Sequence, residues 1–289
     1  VMKKHIASIL FLFLLSTFQL IAQSHSVKRL GIEQGLSNNY VVSITQDKQG
    51  FLWFATEEGL NKFDGTRFTT YYKNDLTQDN QGITGNELNR VYADTKHPII
   101  WIATQRDGLN AYNYNEQTFT AYQHNPENPH SLITNDVTDI APSTQHDDGL
   151  WISTYYRGIE YLDITSGQFT HYNKSTVPSL PCDQTWTVLD GGDGNLYIGH
   201  VGSGFSIFSP KDKSVKNFRN EAGNPMSLPG NDVFCIIKDA NGNIWLGTNN
   251  GLALYDAANE NFITFKNNKN DKYATLCSRI LSIRQLKDN

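Results

Sequence analysis

Nine residues carry most of the recognition chemistry this chain can offer: Glu57, Gln105, Arg106, Tyr155, Tyr156, Arg157, His200, Asn249 and Asn250. They fall in five short segments, TEEG, TQRDG, TYYRG, HVGSG and TNNG, at nearly equal intervals along the chain. Aromatic rings beside guanidinium and amide groups suit stacking on sugar rings and hydrogen bonding to hydroxyl-rich or anionic groups. That is binding chemistry rather than bond making. Tyr155, Tyr156 and Arg157 form the densest cluster.

No pattern for catalysis accompanies them. The chain has no G-x-x-x-x-G-K-S/T, no H-E-x-x-H and no G-x-S-x-G elbow, and its eight histidines are scattered. No catalytic residue is assigned and no cofactor is expected. Asp239, Asn241 and Asn243 imitate the start of a calcium loop, but Asn250 stands where the bidentate glutamate belongs, so a turn is the better reading and no metal site is expected. Asp47 and Asp94 belong to the same kind of turn, where their carboxylates can accept backbone amides. Cys182, Cys235 and Cys277 are too widely spaced for a zinc site, and Cys235 lies in an apolar run that suits a small hydrophobe. A formal net charge of -5 and the lack of any Lys or Arg run exclude a nucleic-acid footprint.

The segments need a scaffold that repeats them, and the sequence supplies one. An aromatic recurs at Trp53, Trp101, Trp151, Tyr197 and Trp245, at spacings of 48, 50, 46 and 48 residues. A fixed period of this length marks a repeat architecture. Around each aromatic stands a similar string: FLWFATEEGLNKFDG, IIWIATQRDGLNAYN, GLWISTYYRGIEYLD, NLYIGHVGSGFSIFS and NIWLGTNNGLALYDA. Upstream lies an apolar pair three apart, such as Val41 with Ile44, and downstream a fourth run such as FTTYY or FITFK. Each unit therefore offers four short strands separated by Gly, Asn and Asp turns, which is one blade of an all-β propeller. Gly59, Gly108, Gly158, Gly204 and Gly251 fall between the second and third strands, where positive φ or close approach is needed. The turns after strands one and three share one face. The segments after strands two and four share the other and vary freely, so a ligand site is expected there.

The first two dozen residues have a different task. Lys3 and Lys4 precede an apolar run from Ile6 to Phe18, which reads as a signal peptide over residues 1–22 and as export. Without Lys3 and Lys4 the balance is 22 basic against 29 acidic residues, or -7. Residues 23–289 then form the propeller.

The pattern D-x-x-G-x-L/I-W-F/L/I-A/G-T-x-x-G-L-x-x-F/Y-D, nearly complete at residues 47–64 and 239–256, resembles the two-component regulator propeller repeat. The opening LGIEQGLSNNYV is similar to that family's first-blade entry. The resemblance covers about residues 27–289. It implies the periplasmic sensor of a Bacteroidetes hybrid two-component histidine kinase, with seven-bladed propellers, an inner-membrane anchor and a kinase region elsewhere in the full-length chain. It further implies a homodimeric receptor and a small-molecule or oligosaccharide ligand. Two other readings stand beside this one: a free-standing periplasmic lyase or hydrolase working in the central pocket, and the sensor of a diguanylate cyclase.

Repeats three and four depart from the pattern. PSTQHDDG replaces D-x-x-G before Trp151, and Tyr197 with His200 replaces the W-x-G-T core. At the end, RILSIRQLKDN repeats YVVSITQDKQG and predicts the first strand of a sixth blade. Val27 to Ile32 is expected to be a closing strand whose partners lie outside the sequence. Five blades and a started sixth leave apolar blade faces exposed.

Overall fold

Each repeat folds as four antiparallel strands because its apolar runs are four to six residues long and side chains tie off the turns between them. The computed structural model describes residues 29–74, 82–265 and 278–286. The segment read as a signal peptide, residues 1–22, and Cys277 lie outside the described residues. Blade 1 comprises β1 (Val41–Gln46), β2 (Leu52–Thr56), β3 (Gly59–Phe63) and β4 (Phe68–Tyr71). Blade 2 comprises β5 (Leu88–Ala93), β6 (Ile99–Thr104), β7 (Leu109–Asn113) and β8 (Thr118–Tyr122). Blade 3 comprises β9 (Val137–Pro142), β10 (Gly149–Thr154), β11 (Gly158–Asp163) and β12 (Gln168–Tyr172). Blade 4 comprises β13 (Thr185–Asp190), β14 (Leu196–His200), β15 (Phe205–Phe208) and β16 (Val215–Phe218). Blade 5 comprises β17 (Val233–Lys238), β18 (Ile244–Thr248), β19 (Gly251–Asp256) and β20 (Asn261–Phe265). Every sheet is antiparallel and in simple sequential order.

The first strands of successive blades, β1, β5, β9, β13 and β17, stand side by side and line the propeller axis. Their mutual hydrogen bonds carry the period of the sequence. Asn89 Nδ2 donates to the Val137 carbonyl at 2.8 Å, and Thr187 Oγ1 donates to Asp139 Oδ2 at 2.6 Å, both across 48 residues. Asp139, buried, also accepts the Val188 amide and pairs with Arg90 at 2.9 Å, so one carboxylate ties blades 2, 3 and 4. A second set of ties lies before each first strand. The side chains of Asn86, Asn135, Asp183 and Asn231 accept backbone amides from the residues just after the preceding blade's outer strand, those of Lys73, His124, Lys174 and Asn220.

Between neighbouring blades lie four apolar cores, and the repeating aromatic sits in each. Trp53 packs against Ile100, Ile102, Tyr112 and Phe119 of blade 2. Trp101, Trp151 and Tyr197 fill the corresponding places in the next three interfaces. The turn aspartate explains the D-x-x-G signature. Asp47 accepts the Gln49 and Phe51 amides on one oxygen and the Trp53 indole N–H on the other, at 2.8 Å. Asp94 and Asp239 serve Trp101 and Trp245 in the same way. Asp239 also accepts the Asn241 and Asn243 amides, so the calcium-like string is a turn.

The two irregular repeats compensate one another. Ser143 stands where blade 3 lacks its turn aspartate, and Asp190 of blade 4 accepts the Trp151 indole instead, at 3.2 Å. Asp190 is free to reach across because blade 4 has Tyr197 in place of Trp, and that hydroxyl donates to Asp193 at 2.9 Å. Two expectations need correction. Ile32 is not in a closing strand: Ile32–Gln34 is a short 3-10 helix, started by Gln34 Oε1 accepting the Gly31 amide and ended by Gly35 at φ +99°. Residues 279–285 form no strand either, since a first strand needs a second strand of its own blade to pair with. They run beside blade 5, where the Ile280 amide donates to the Thr248 carbonyl, and Arg284 Nη2 donates to the Ile44 carbonyl of β1 at 3.2 Å.

The outer faces of blades 1 and 5 remain apolar and partly open among the described residues. Ile44 is 45% exposed and Ile263 51%, while Phe54, Phe68, Trp245 and Leu254 are half-buried.

Candidate functional site

The five recognition segments converge on one rim through a bond that every blade repeats. The residue just after the second strand donates its N–H to the carbonyl just before the first strand of its own blade. Glu57 donates to Tyr40, Gln105 to Glu87, Tyr155 to Asp136, Val201 to Gln184 and Asn249 to Asp232, at 2.8–3.3 Å. Each tip is thereby held at the channel mouth. Behind it, Thr56, Thr104, Thr154 and Thr248 donate their hydroxyls to the Gly59, Gly108, Gly158 and Gly251 carbonyls at 2.8–2.9 Å. Those glycines, with Gly204, have φ between +80° and +119°, and a Cβ at Gly108 or Gly158 would collide with the Tyr122 or Tyr172 carbonyl oxygen.

A second repeated device aims side chains into the mouth. Each first strand bulges at its second residue, leaving Val42, Asn89, Thr138, Trp186 and Phe234 out of the pairing with the second strand. A bulge frees the extra residue from the ladder and redirects its side chain. In blades 4 and 5 that residue is a large aromatic. Tyr156 and Tyr155 meet edge to face at 4.2 Å, Tyr155 meets Trp186 at 5.9 Å, Trp186 meets Phe234 at 6.1 Å, and the Arg279 guanidinium lies 4.6 Å from the Phe234 ring centre. Four rings and one cation thus form a strip along the rim of blades 3, 4 and 5. Its ends and edges are polar. Burial pushes the Tyr155 hydroxyl pKa up, helped by Tyr156 and by Asp136 and Asp232. Burial also raises the Asp136 carboxyl, while nearby Arg106 pulls it back down.

Of the nine residues expected to contribute, Tyr155 and Tyr156 are brought together in this strip, and Arg106 is exposed within electrostatic reach of Asp136. Gln105 and Arg157 are exposed on the same rim, and Glu57 is exposed on blade 1. Asn249 donates to the Asp232 carboxylate at 3.0 Å and orders it. Asn250 donates to the Pro229 carbonyl at 2.9 Å and so holds its own blade's entry loop. His200 is a correction. It is fully buried, its Nε2 pairs with Ser206 Oγ at 2.8 Å and its Nδ1 faces Cys182 Sγ at 3.5 Å. It occupies the place of the turn threonine, and its longer side chain reaches inward to polar atoms of its blade rather than outward to the rim.

Trp186, Phe234, Asp136, Asp232 and Arg279 were not singled out by sequence. One signal for Trp186 was available, because four of the five tryptophans follow the repeat and it is the fifth. For Phe234 there was none, since the apolar run Val233–Ile237 does not show which residue bulges. Cys235 next to it sits half-buried, its thiol pushed up to about 12 by burial, in keeping with a packing role.

Comparison with known proteins places this geometry. The family described as "Two component regulator propeller" matches residues 35–58 and 227–250, the entries to blades 1 and 5. The extracellular domain of the hybrid two component system BT3049 from B. thetaiotaomicron is 65% identical, superposes with a TM-score of 0.81, and aligns over 90% of this chain and 33% of its own. The extracellular domain of the one component system BT4673 from the same organism shares the fold, at 22% identity and a TM-score of 0.67, over 85% of this chain and 34% of its own. Histidine kinase P4 of Formosa agariphila is 42% identical over 66 residues, 23% of this chain and 5% of the kinase. The chain therefore spans about a third of the solved domains and a small part of the curated relative.

Proposed function

We propose that this chain, a protein of two component regulator propeller repeats, is the ligand-sensing propeller of a two-component receptor and takes oligosaccharides at its channel mouth. The observation that carries the reading is the strip Tyr156, Tyr155, Trp186, Phe234 and Arg279, presented by the bulges and turn tips of blades 3 to 5. Ring faces bind the apolar face of a sugar, and Arg106, Asp136 and Asp232 beside them suit its hydroxyls. On this reading the chain is exported to the periplasm, and its occupancy controls a histidine kinase region of the same full-length protein, anchored in the inner membrane and working as a homodimer. Further blades of that protein would cover the apolar faces of blades 1 and 5. The similarity to extracellular domains of two-component systems supports the placement. A lyase or hydrolase would need acid and base groups at the channel mouth, and the burial of His200 keeps its imidazole away from there.

The reading is tested by calorimetric titration with a panel of neutral and acidic oligosaccharides. Trp186→Ala and Phe234→Ala are each expected to weaken the best binder roughly 30-fold, about 2 kcal/mol, the loss typical of an aromatic anchor. Val42→Ala, at the matching bulge of blade 1, leaves binding unchanged. Equal affinities across all three variants would place the ligand elsewhere.

A further inference from the structure

On the opposite face, blades 3 and 4 part to leave a cleft of about 1000 Å³, at the upper end of the size range of small-molecule sites. Its floor is the outer end of the core between these blades, where Trp151, Tyr161 and Tyr172 come together, with ring centres 4.9 and 5.7 Å from Trp151. Its walls are the turns Ser143–Asp148 and Asp190–Asn195 and the tips of the β11–β12 and β15–β16 turns. This is the interface where the repeat is broken. Trp151 gives its indole N–H to Asp190 across the gap, and the turn of blade 3 that elsewhere folds over its own tryptophan does not do so.

The chemistry of the lining is one-sided. Asp163, Asp190 and Asp193 face the cleft with no ion-pair partner among the described residues, whereas Asp147 and Asp148 are taken by Lys96 and His97. Lys211 is the one Lys or Arg of the lining. The Tyr161 hydroxyl makes no hydrogen bond to another described residue and borders the same space. Three carboxylates without an ion-pair partner, against one lysine, around aromatic ring faces favour a cation, through direct attraction and through the negative faces of the rings. Amide and hydroxyl groups of Gln145, Asn195 and Ser209 add hydrogen-bonding capacity for a hydroxylated body.

We propose that this cleft is a second ligand site, separate from the channel mouth, which takes a saccharide bearing protonated amines. The test is calorimetric titration of the purified chain with the glucosamine trimer, with its fully N-acetylated counterpart as the neutral comparison, at low and moderate salt. The amine form is expected to bind at least 10-fold tighter than the acetylated form and to weaken as salt rises. Asp163→Asn with Asp193→Asn is expected to weaken it a further 10-fold, Lys211→Glu on the exposed rim to tighten it, and Trp186→Ala at the channel mouth to leave it unchanged. The amide oxygen that Asp193→Asn leaves in place can still accept the Tyr197 hydroxyl, and should the double variant not fold, Lys211→Glu decides. Equal binding of the two trimers, no saturable binding of either, or loss of binding in Trp186→Ala overturns the proposal. The last result would also show that one site, at the mouth, accounts for both ligands.

Discussion

Trp101→Ala is expected to lower the free energy of unfolding by about 3–5 kcal/mol, and Trp245→Ala by less than half as much. Both indoles occupy the same position of the repeat, and both donate to a turn aspartate, Asp94 at 3.1 Å and Asp239 at 2.9 Å. They differ in what covers them. Trp101 has no exposed surface and lies in one core with Val137, Ile140 and Phe169 of the next blade and Leu132 of the loop leading into it. Trp245 is half-buried, with Phe265 of its own blade as its ring neighbour at 5.8 Å. Removing Trp101 leaves a cavity closed on both sides, whereas the space left by Trp245 is open to water. Denaturant unfolding of the two variants beside the parent measures the difference. Equal losses would mean that the outer face of blade 5 is as well covered in solution as an internal interface, and the account of its open face would fail.

The blades were legible because the propeller repeats its physics. A tryptophan buried between sheets, an aspartate accepting its N–H and a glycine at positive φ each leave a fixed letter at a fixed spacing, and five copies make the period plain. Even the two broken repeats were visible as departures. What could not be read was that they repair one another, since Asp190 reaching back to Trp151 joins residues of different repeats. The ends of the repeat series were misjudged for a related reason. Pattern alone predicts a strand over residues 279–285, but strand identity depends on ladder pairing, and these residues have none among the described residues.

The binding face was legible as a set of turn tips and not as a site. Tyr155, Tyr156 and Arg106 were found because turn loops vary between repeats. Trp186 and Phe234 were missed because they lie inside strands, where apolar residues read as core, and only the register slip of each first strand turns them towards the channel mouth. His200 was misplaced by the same logic in reverse. It stands at a turn position in the string, yet the other four blades use that position for a buried threonine, and a buried slot filled with imidazole stays buried.

That burial makes His200 the source of a pH effect. Withdrawal from water lowers its pKa from the ordinary 6.5 to about 4, against a small opposing contribution from the Gln184 backbone. The unfolded chain takes up this proton below about 6.5 and the folded chain only near 4. Stability from this group is therefore complete above pH 6.5 and declines as the pH falls, by about 3 kcal/mol at pH 4. His97 acts in the other direction. Burial pulls it down, but hydrogen bonds to Asp94 and Asp148 raise it overall, so its contribution is present at acid pH and lost as pH rises through its raised pKa. His171, raised by Glu160, has the same sign as His97. The total curve is thus a sum of opposing slopes, and His200 is isolated by comparison. His200→Thr restores the residue of the other four blades, and His200→Gln keeps a polar side chain of similar length. Both are expected to flatten the loss of stability between pH 6.5 and 4 relative to the parent, whatever their own stability at pH 7. Unfolding midpoints measured across that range decide it, and an acid limb of unchanged slope in both variants would mean that His200 titrates as it would in water.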